Sequence, residues 1–340
     1  MSKRSVLNLS VYSVLHFAVD LTCAWLMFSK IKPQEELWGA AMLFYNYFAF
    51  AMQLPLGILA DRFNRNSYFA ALGCVFVGLG CFLGSFGIVS ALCAGLGNGL
   101  FHVGGGLDTL NRRKGKCTPA GIFVAPGAFG LWLGTRWGQA EALPLALGIA
   151  LCLIGAVLPL ICKNNDPDGK NAEFSLPPIK SLAYLGSAFL FAVVIIRGFA
   201  GLIFTFEWKP DFALPLILAV VLGKTAGGIL ADLAGAKKTA VFSLLAAGVL
   251  FVFGANPLCG ILAVFLFNMT MPLTLTAAAD AFEGAKGMSF GLMTFGLFLG
   301  FLVVYFGFTS DSLVLYAALS ALSLVLIVFG LIFSERAAKK

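Results

Sequence analysis

The sequence is poor in charge. Only 11% of its 340 residues are Asp, Glu, Lys or Arg, whereas 60% are hydrophobic and the mean hydropathy is +0.93. That balance excludes an ordinary soluble domain. Strict apolar/polar alternation over about 10 residues is missing, which excludes a transmembrane β-barrel. Histidine occurs only twice, at His16 and His102, with no HxxxH or HExxH spacing, so no helix-borne metal or metalloprotease motif is written in the chain. The eight cysteines (Cys23, Cys74, Cys81, Cys93, Cys117, Cys152, Cys162, Cys259) contain no CxxC pair and mostly lie in or beside apolar runs. Free thiols without a disulfide framework are expected. The one long polar stretch is "KNNDPDGKNAEFSLPPIK", 163–180, too little for an extramembrane receptor or enzyme domain. Despite a net charge of +7, the basic residues form no single stripe, which argues against a nucleic-acid partner.

What the chain does contain is a series of apolar runs of about 20 residues, the length an α-helix needs to cross hydrocarbon. Breaks at charges, Gly, Pro and Asn place twelve spans at about 6–29, 37–60, 67–86, 88–110, 118–137, 140–162, 180–205, 211–231, 238–255, 257–280, 287–307 and 312–334. Lys3 and Arg4 precede an apolar stretch that runs to about Phe28 without a small-residue cleavage site, so it reads as a retained first span and not a signal peptide. The Pro, Gly and charge content of 163–180 reads as a linker between an N-terminal six-helix bundle (1–162) and a C-terminal one (181–340).

Of the 23 Lys and Arg residues, Arg197 and Lys224 lie inside spans, and Lys30, Lys32, Arg136 and Lys209 lie on one side. The other seventeen (Lys3, Arg4, Arg62, Arg65, Arg112, Arg113, Lys114, Lys116, Lys163, Lys170, Lys180, Lys237, Lys238, Lys286, Arg336, Lys339, Lys340) share the opposite side. By the positive-inside rule both termini and the linker are cytoplasmic, as in a multi-pass protein of an inner membrane. The halves also repeat. "GILAD" at 57–61 recurs at 228–232, and "GAFGLWLG" (127–134) has a counterpart in "MTFGLFLG" (293–300). Matched features at a shift of about 170 residues indicate a parallel repeat about an axis along the membrane normal, with ligand sites between the halves.

Polar residues inside the spans need a reason. In "VYSVLHFAVDLTCAW" (11–25), Tyr12, His16 and Asp20 follow Asn8 at four-residue intervals and line one face of span one. A charge at a helix centre costs about 2.5–3.5 kcal/mol even on the gentlest scale, so such groups face a cavity or a partner. Asn46 and Gln53 on span two, Asn98 and His102 on span four, Arg197 on span seven, Lys224 on span eight and Asn268 on span ten could line one chamber with them. Taken singly, the amides are more often helix-to-helix glue. The cations of the second half tilt the chamber toward an anionic or zwitterionic solute.

The loop "GILADRFNRN" resembles the signature between the second and third helices of the major facilitator superfamily. Gly57, Asp61, Arg62 and Arg65 match, while Asn64 stands where glycine is usual, a position where Asn tolerates the left-handed backbone. The second copy, "GGILADLAGAKK", supplies Gly228, Asp232, Lys237 and Lys238. The resemblance covers the whole chain and implies an all-α membrane fold of two pseudo-twofold-related six-helix bundles. It implies a cytoplasmic gate in which Asp61 meets the amino end of helix eleven and arginines, with Arg62, Arg112 and Arg113 as candidates, and Asp232 faces span five. "GIFVAPGAFGLWLG" is similar to the superfamily's fifth-helix signature at Gly121, Pro126, Gly130 and Gly134, with Ala125 and Phe129 replacing glycines; that signature is associated with proton-exchanging exporters. "AGLGNGLFHVGGGLD" lacks the fourth-helix arginine that often carries proton coupling, and His102 is the candidate substitute. Its "LFH" followed by glycines is similar to the fosmidomycin-resistance-like exporters. Since spans one and seven face each other in this superfamily, an Asp20–Arg197 pair is expected.

The resulting expectation is a monomeric secondary transporter of a small organic solute, working by alternating access with protons as coupling ion, an exporter before an importer, and without cofactor or metal. Open alternatives are a proton-coupled importer or uniporter of an organic anion or sugar-like solute, and a non-transporting lipid-handling or scaffold protein. A membrane enzyme using His16, His102 and Asp108 is disfavoured, because Asp108 falls one or two turns from His102.

Overall fold

The structure is a computed structural model that describes residues 2–140, 145–161 and 169–338. Among these residues there is no strand, and the helices form twelve runs in chain order. They are α1 (Lys3–Leu26, continued by a π-helical turn Met27–Ile31), α2 (Glu35–Asn46, a π-helical turn Tyr47–Ala51, then Gln53–Phe63), α3 (Asn66–Phe82) and α4 (Gly87–Arg112). Then come α5 (Thr118–Gln139), α6 (Leu145–Ile161), α7 (Leu182–Ile203) and α8 (Ala213–Ala234). The last four are α9 (Ala236–Val252), α10 (Pro257–Asn268 then Thr270–Ala281), α11 (Lys286–Tyr305) and α12 (Leu313–Ala338). One run overlaps each expected span, with ends that differ by a few residues. The expected linker lies partly outside the described residues, as does Cys162; the seven described cysteines are free.

Local chemistry sets the ends and breaks. Ser2 and Ser181 cap α1 and α7 by accepting from Ser5 N and Ala183 N, and Asn256 caps α10 with Pro257 following. Asn64 ends α2 in the left-handed conformation (φ 50°), and Gly235, its counterpart in the repeat, ends α8 at φ 93°. Pro55 and Pro272 lack the N–H owed to the carbonyl four residues earlier. The interruptions at Tyr47–Ala51 and Met269 sit just before those carbonyls' partners.

Eight runs are long and apolar enough to cross a membrane by themselves, and α3 and α6 are shorter apolar helices. The outer faces carry exposed apolar residues at helical spacing: Leu72, Val75, Leu79 and Phe82 on α3, and Phe242, Leu245, Val249 and Val252 on α9. Such a girdle suits hydrocarbon and not water. Inside it are two apolar cores, one built on α1 to α6 around Trp25, Phe101 and Phe123, the other on α7 to α12 around Phe251, Phe267 and Tyr316. The chain is a multi-pass membrane protein. The face where the linker runs is called the linker face below, and its opposite the distal face.

Candidate functional site

The site is organised by α5. Pro126 sits inside this helix and leaves the Ile122 carbonyl without an intrahelical N–H. Side chains from other helices take the carbonyls of that turn. Ser13 Oγ, which donates chiefly to Leu9 O of its own helix at 2.7 Å, also lies 3.4 Å from Ile122 O, His16 Nδ1 lies 2.7 Å from Phe123 O, and Lys224 Nζ of α8 donates to Val124 O at 3.5 Å. One residue on, Gly127 makes room for the centre: a Cβ there would strike His16 Nε2 and lie 2.5 Å from Asp20 Oδ2. Gly130 and Gly134 bring α5 against the α1 backbone at Phe17 and Leu21, and Gly121 brings it against Lys224 on α8.

In that space three groups converge. His16 Nε2 is 2.8 Å from His102 Nε2 and 3.2 Å from Asp20 Oδ2, and His102 Nε2 is 3.8 Å from Asp20 Oδ1. Asn98 donates to Asp20 Oδ1 at 2.8 Å, while its own Oδ1 is buried without a hydrogen-bond partner. His102 Nδ1 lies 2.8 Å from Asn98 O, one turn back on α4. Both histidines are buried, and the two rings meet edge to face with centroids 4.3 Å apart.

The structure corrects the expected ion pair. Asp20 is taken by partners of its own bundle, while Arg197, 8% exposed, donates to Thr274 Oγ1 on α10 at 3.2 Å. Lys224 is the cation that reaches across, close enough to feel the charges of both Asp20 and Arg197. No metal site is expected from the sequence, yet ligand atoms of His16 and Asp20, four residues apart on α1, and of His102 on α4 lie within 4.8 Å of one another. Asp108 is elsewhere, paired with Arg112 at 2.8 Å. The amides divide. Asn98 joins the cluster, whereas Asn46, Gln53 and Asn268 donate back to Met42 O, Ala49 O and Val264 O of their own helices. Tyr12 is buried, its ring against the position a Gly105 Cβ would take. Gly127 was missed by sequence reasoning. Its signal was present, one residue after Pro126, one turn before Gly130 and two before Gly134, but its neighbour His16 is 111 positions away.

At the linker face the two halves are bolted by a symmetric device. Asp61, at the end of α2, accepts from Gly287 N and Met288 N at the start of α11, both at 2.8 Å. Asp232, at the end of α8, accepts from Cys117 N at 2.6 Å and from Thr118 N at 3.0 Å, at the start of α5. Each carboxylate escapes the carbonyl end of its own helix and sits on the N–H end of another. Gly57 and Gly228 permit the approach, since Cβ atoms there would collide with the backbones of Gly287 and of Cys117–Thr118.

The expected arginine partners of Asp61 do other work. Arg113 bonds Asp280 across the halves, Arg112 pairs with Asp108, Arg62 lies over the Phe174 ring of the linker, and Arg65 over Tyr68. Each Asp61 oxygen takes one backbone N–H, and the guanidiniums reach acids or rings elsewhere. Lys237 pairs with Glu335 at 2.6 Å and Lys238 is exposed. Asn171 of the linker donates to Ala60 O at 2.7 Å and accepts from Asn66 and Asn111, both at 2.8 Å, and Ser175 N donates to Gly284 O at 3.1 Å. The linker thus ties α2 to α4 to the turn before α11. A cavity of about 1210 Å³ opens beside it, lined by Arg113, Lys114, Asp232, Asp280 and Lys286 among others.

No family model and no curated protein matches the sequence. Solved structures match over nearly its whole length. A variant of the Escherichia coli fucose:proton symporter FucP superposes with TM-score 0.74 at 12% identity, covering 96% of this chain and 99% of that one. The human organic anion transporter MFSD10 (TETRAN) gives 0.70 at 13% identity, with 96% and 100% covered. A major facilitator superfamily transporter, FucP in its outward conformation, gives 0.66 at 14% identity, with 97% and 100% covered. At such identities the likeness is one of fold.

Proposed function

From a chain with the major facilitator fold, twelve helices in two pseudo-twofold-related bundles, we propose a secondary transporter of a small organic solute that works by alternating access. The observation that carries this reading is the polar centre inside an apolar girdle: Asp20, His16 and His102 in one bundle, facing Lys224 of the other across the turn at Pro126. Buried ionisable groups in lipid spans mark transport paths. The basic linker face is the cytoplasmic one of an inner membrane, both termini included, and the chain acts as a monomer. Its two carboxylate latches close that side.

Protons are the coupling ion. With Asp20 ionised, its charge attracts Lys224 and favours α8 staying against α5; a proton taken up by the Asp20–His16–His102 group weakens that attraction and lets the bundles part. The fifth-helix glycines and Pro126 favour export. Arg197, buried, and Lys224, half-buried, two cations in one half, support a second reading, uptake or uniport of an organic anion.

The test is a panel of labelled solutes in proteoliposomes, with the pH gradient imposed in either orientation. Export predicts accumulation driven by one sense of the gradient, and Asp20→Asn is expected to lower the gradient-driven rate at least tenfold while leaving exchange at equilibrium measurable. A rate indifferent both to pH and to Asp20→Asn removes proton coupling.

A further inference from the structure

The hydrogen bonds of the two histidines fix where their protons are. His16 Nδ1 lies 2.7 Å from Phe123 O and His102 Nδ1 lies 2.8 Å from Asn98 O. Backbone carbonyls only accept, so each Nδ1 carries the hydrogen. Both Nε2 atoms are then bare lone pairs, and they face each other at 2.8 Å with the Asp20 carboxylate beside them at 3.2 and 3.8 Å. Three acceptors aimed at one point repel unless a cation stands among them. A proton can fill the place. So can a metal ion, and the donor set is built for one.

We propose that His16, His102 and Asp20 form a binding site for a single divalent transition-metal ion of the zinc type. Zinc takes imidazole nitrogen at about 2.0–2.1 Å and carboxylate oxygen at about 2.0–2.2 Å in tetrahedral array. Ligand atoms of one ion therefore lie roughly 3.3 Å apart; here the two Nε2 atoms are 2.8 Å apart, His16 Nε2 is 3.2 Å from Asp20 Oδ2 and His102 Nε2 is 3.8 Å from Asp20 Oδ1, and with one ligand atom taken from each residue the set lies within 4.8 Å, which a small turn of the carboxylate closes on one ion. A His–His–carboxylate set leaves a fourth position open, and imidazole ligands suit zinc, copper and nickel above magnesium or calcium. The outer shell is also in place. Each ring is oriented by a carbonyl on Nδ1, as ligating histidines are, and Asn98 holds the carboxylate while keeping a buried acceptor without a partner. Gly127 supplies the space. The opposing feature is Lys224, whose charge reaches His102 from α8. It makes the site sensitive to the position of the other bundle. The inference stands on this geometry alone and does not depend on transport.

The test uses the purified full chain in nanodiscs, titrated with Zn²⁺ by calorimetry and with Co²⁺ by visible absorption. One ion per chain is expected, with a tetrahedral Co²⁺ spectrum. His102→Gln and Asp20→Asn should each weaken binding at least tenfold, whereas Lys224→Gln should strengthen it severalfold by removing the repelling charge. The gain in Lys224→Gln cannot come from a misfolded variant. Absence of stoichiometric binding, or binding that survives both His102→Gln and Asp20→Asn as an adventitious surface ion would, overturns the proposal.

Discussion

At the scale of single residues, the site depends on an atom that is missing. Gly127 has no Cβ, and the volume it vacates is where His16 and Asp20 meet. Gly127→Ala is therefore expected to behave as an overpacked core position and destabilise the protein by about 1–3 kcal/mol. It should also separate the imidazole from the carboxylate. The check is a melting curve in detergent together with the pH dependence of transport; an unchanged melting temperature with an unchanged pH profile would show that the contact is not needed. The sequence announced His16, Asp20, Asn98 and His102 as unusual, because a polar group in an apolar run has to be answered by a partner. It could not say which partner. The four-residue interval puts His16 and Asp20 on one face of α1, but their closeness to His102 depends on how α1, α4 and α5 cross: Gly130 and Gly134 seat α5 on α1, and Gly73, Gly97 and Gly104 seat α4 on α3.

At the scale of elements, proline and glycine decide what each helix offers its neighbours. Pro126 frees the Ile122 carbonyl of α5 and helps to place the neighbouring carbonyls that His16 and Lys224 use. Pro126→Ala would return an N–H to Ile122 O and extend the regular helix. The expected result is an unchanged or higher melting temperature with a slower cycle of the proposed transport, since a regular helix at this position would stiffen the turn whose Val124 carbonyl Lys224 uses. A transport rate equal to wild type in the same proteoliposomes would sink this account. The proline positions were legible in the sequence, as was the need for a left-handed residue at Asn64, borne out by its φ of 50°. The amides were less legible. Asn46, Gln53 and Asn268 turn back on their own helices, and nothing in their spacing distinguishes them from Asn98, which reaches Asp20.

At the scale of the whole molecule, closure of the linker face rests on two carboxylates placed by an internal repeat, and they should not be equal. Charge-assisted hydrogen bonds are worth about 1.5–3 kcal/mol each, but a solvent-exposed carboxylate loses much of that to water and salt. Asp61 is buried and Asp232 exposed, so Asp61→Asn is expected to open this face more than Asp232→Asn. Cys117 offers the readout, lying at the start of α5 with its N–H on Asp232. Burial raises its thiol above the ordinary range, so the reactive thiolate is scarce at neutral pH and increases as the pH rises. Opening the face would wet the thiol and lower that threshold. Site-resolved maleimide labelling of Cys117 should be slow in wild type at neutral pH, rise with pH, and be faster at neutral pH in both variants, most of all in Asp61→Asn. Equal labelling in all three proteins would exclude these carboxylates as the latch.

The sequence alone determined that the chain lives in a membrane, crosses it in twelve helices and is built twice, because apolar length, charge asymmetry and a repeated "GILAD" are properties of order along the chain. It also singled out the groups that lipid would not tolerate. Only the tertiary structure decided that Asp20 answers two histidines and not Arg197, that the arginines expected beside Asp61 go to other partners, and that Lys224 and not Arg197 reaches the other bundle at the centre. Those choices turn on how helices far apart in sequence meet. Partners there are selected by distance and desolvation, which spacing along a single helix does not encode.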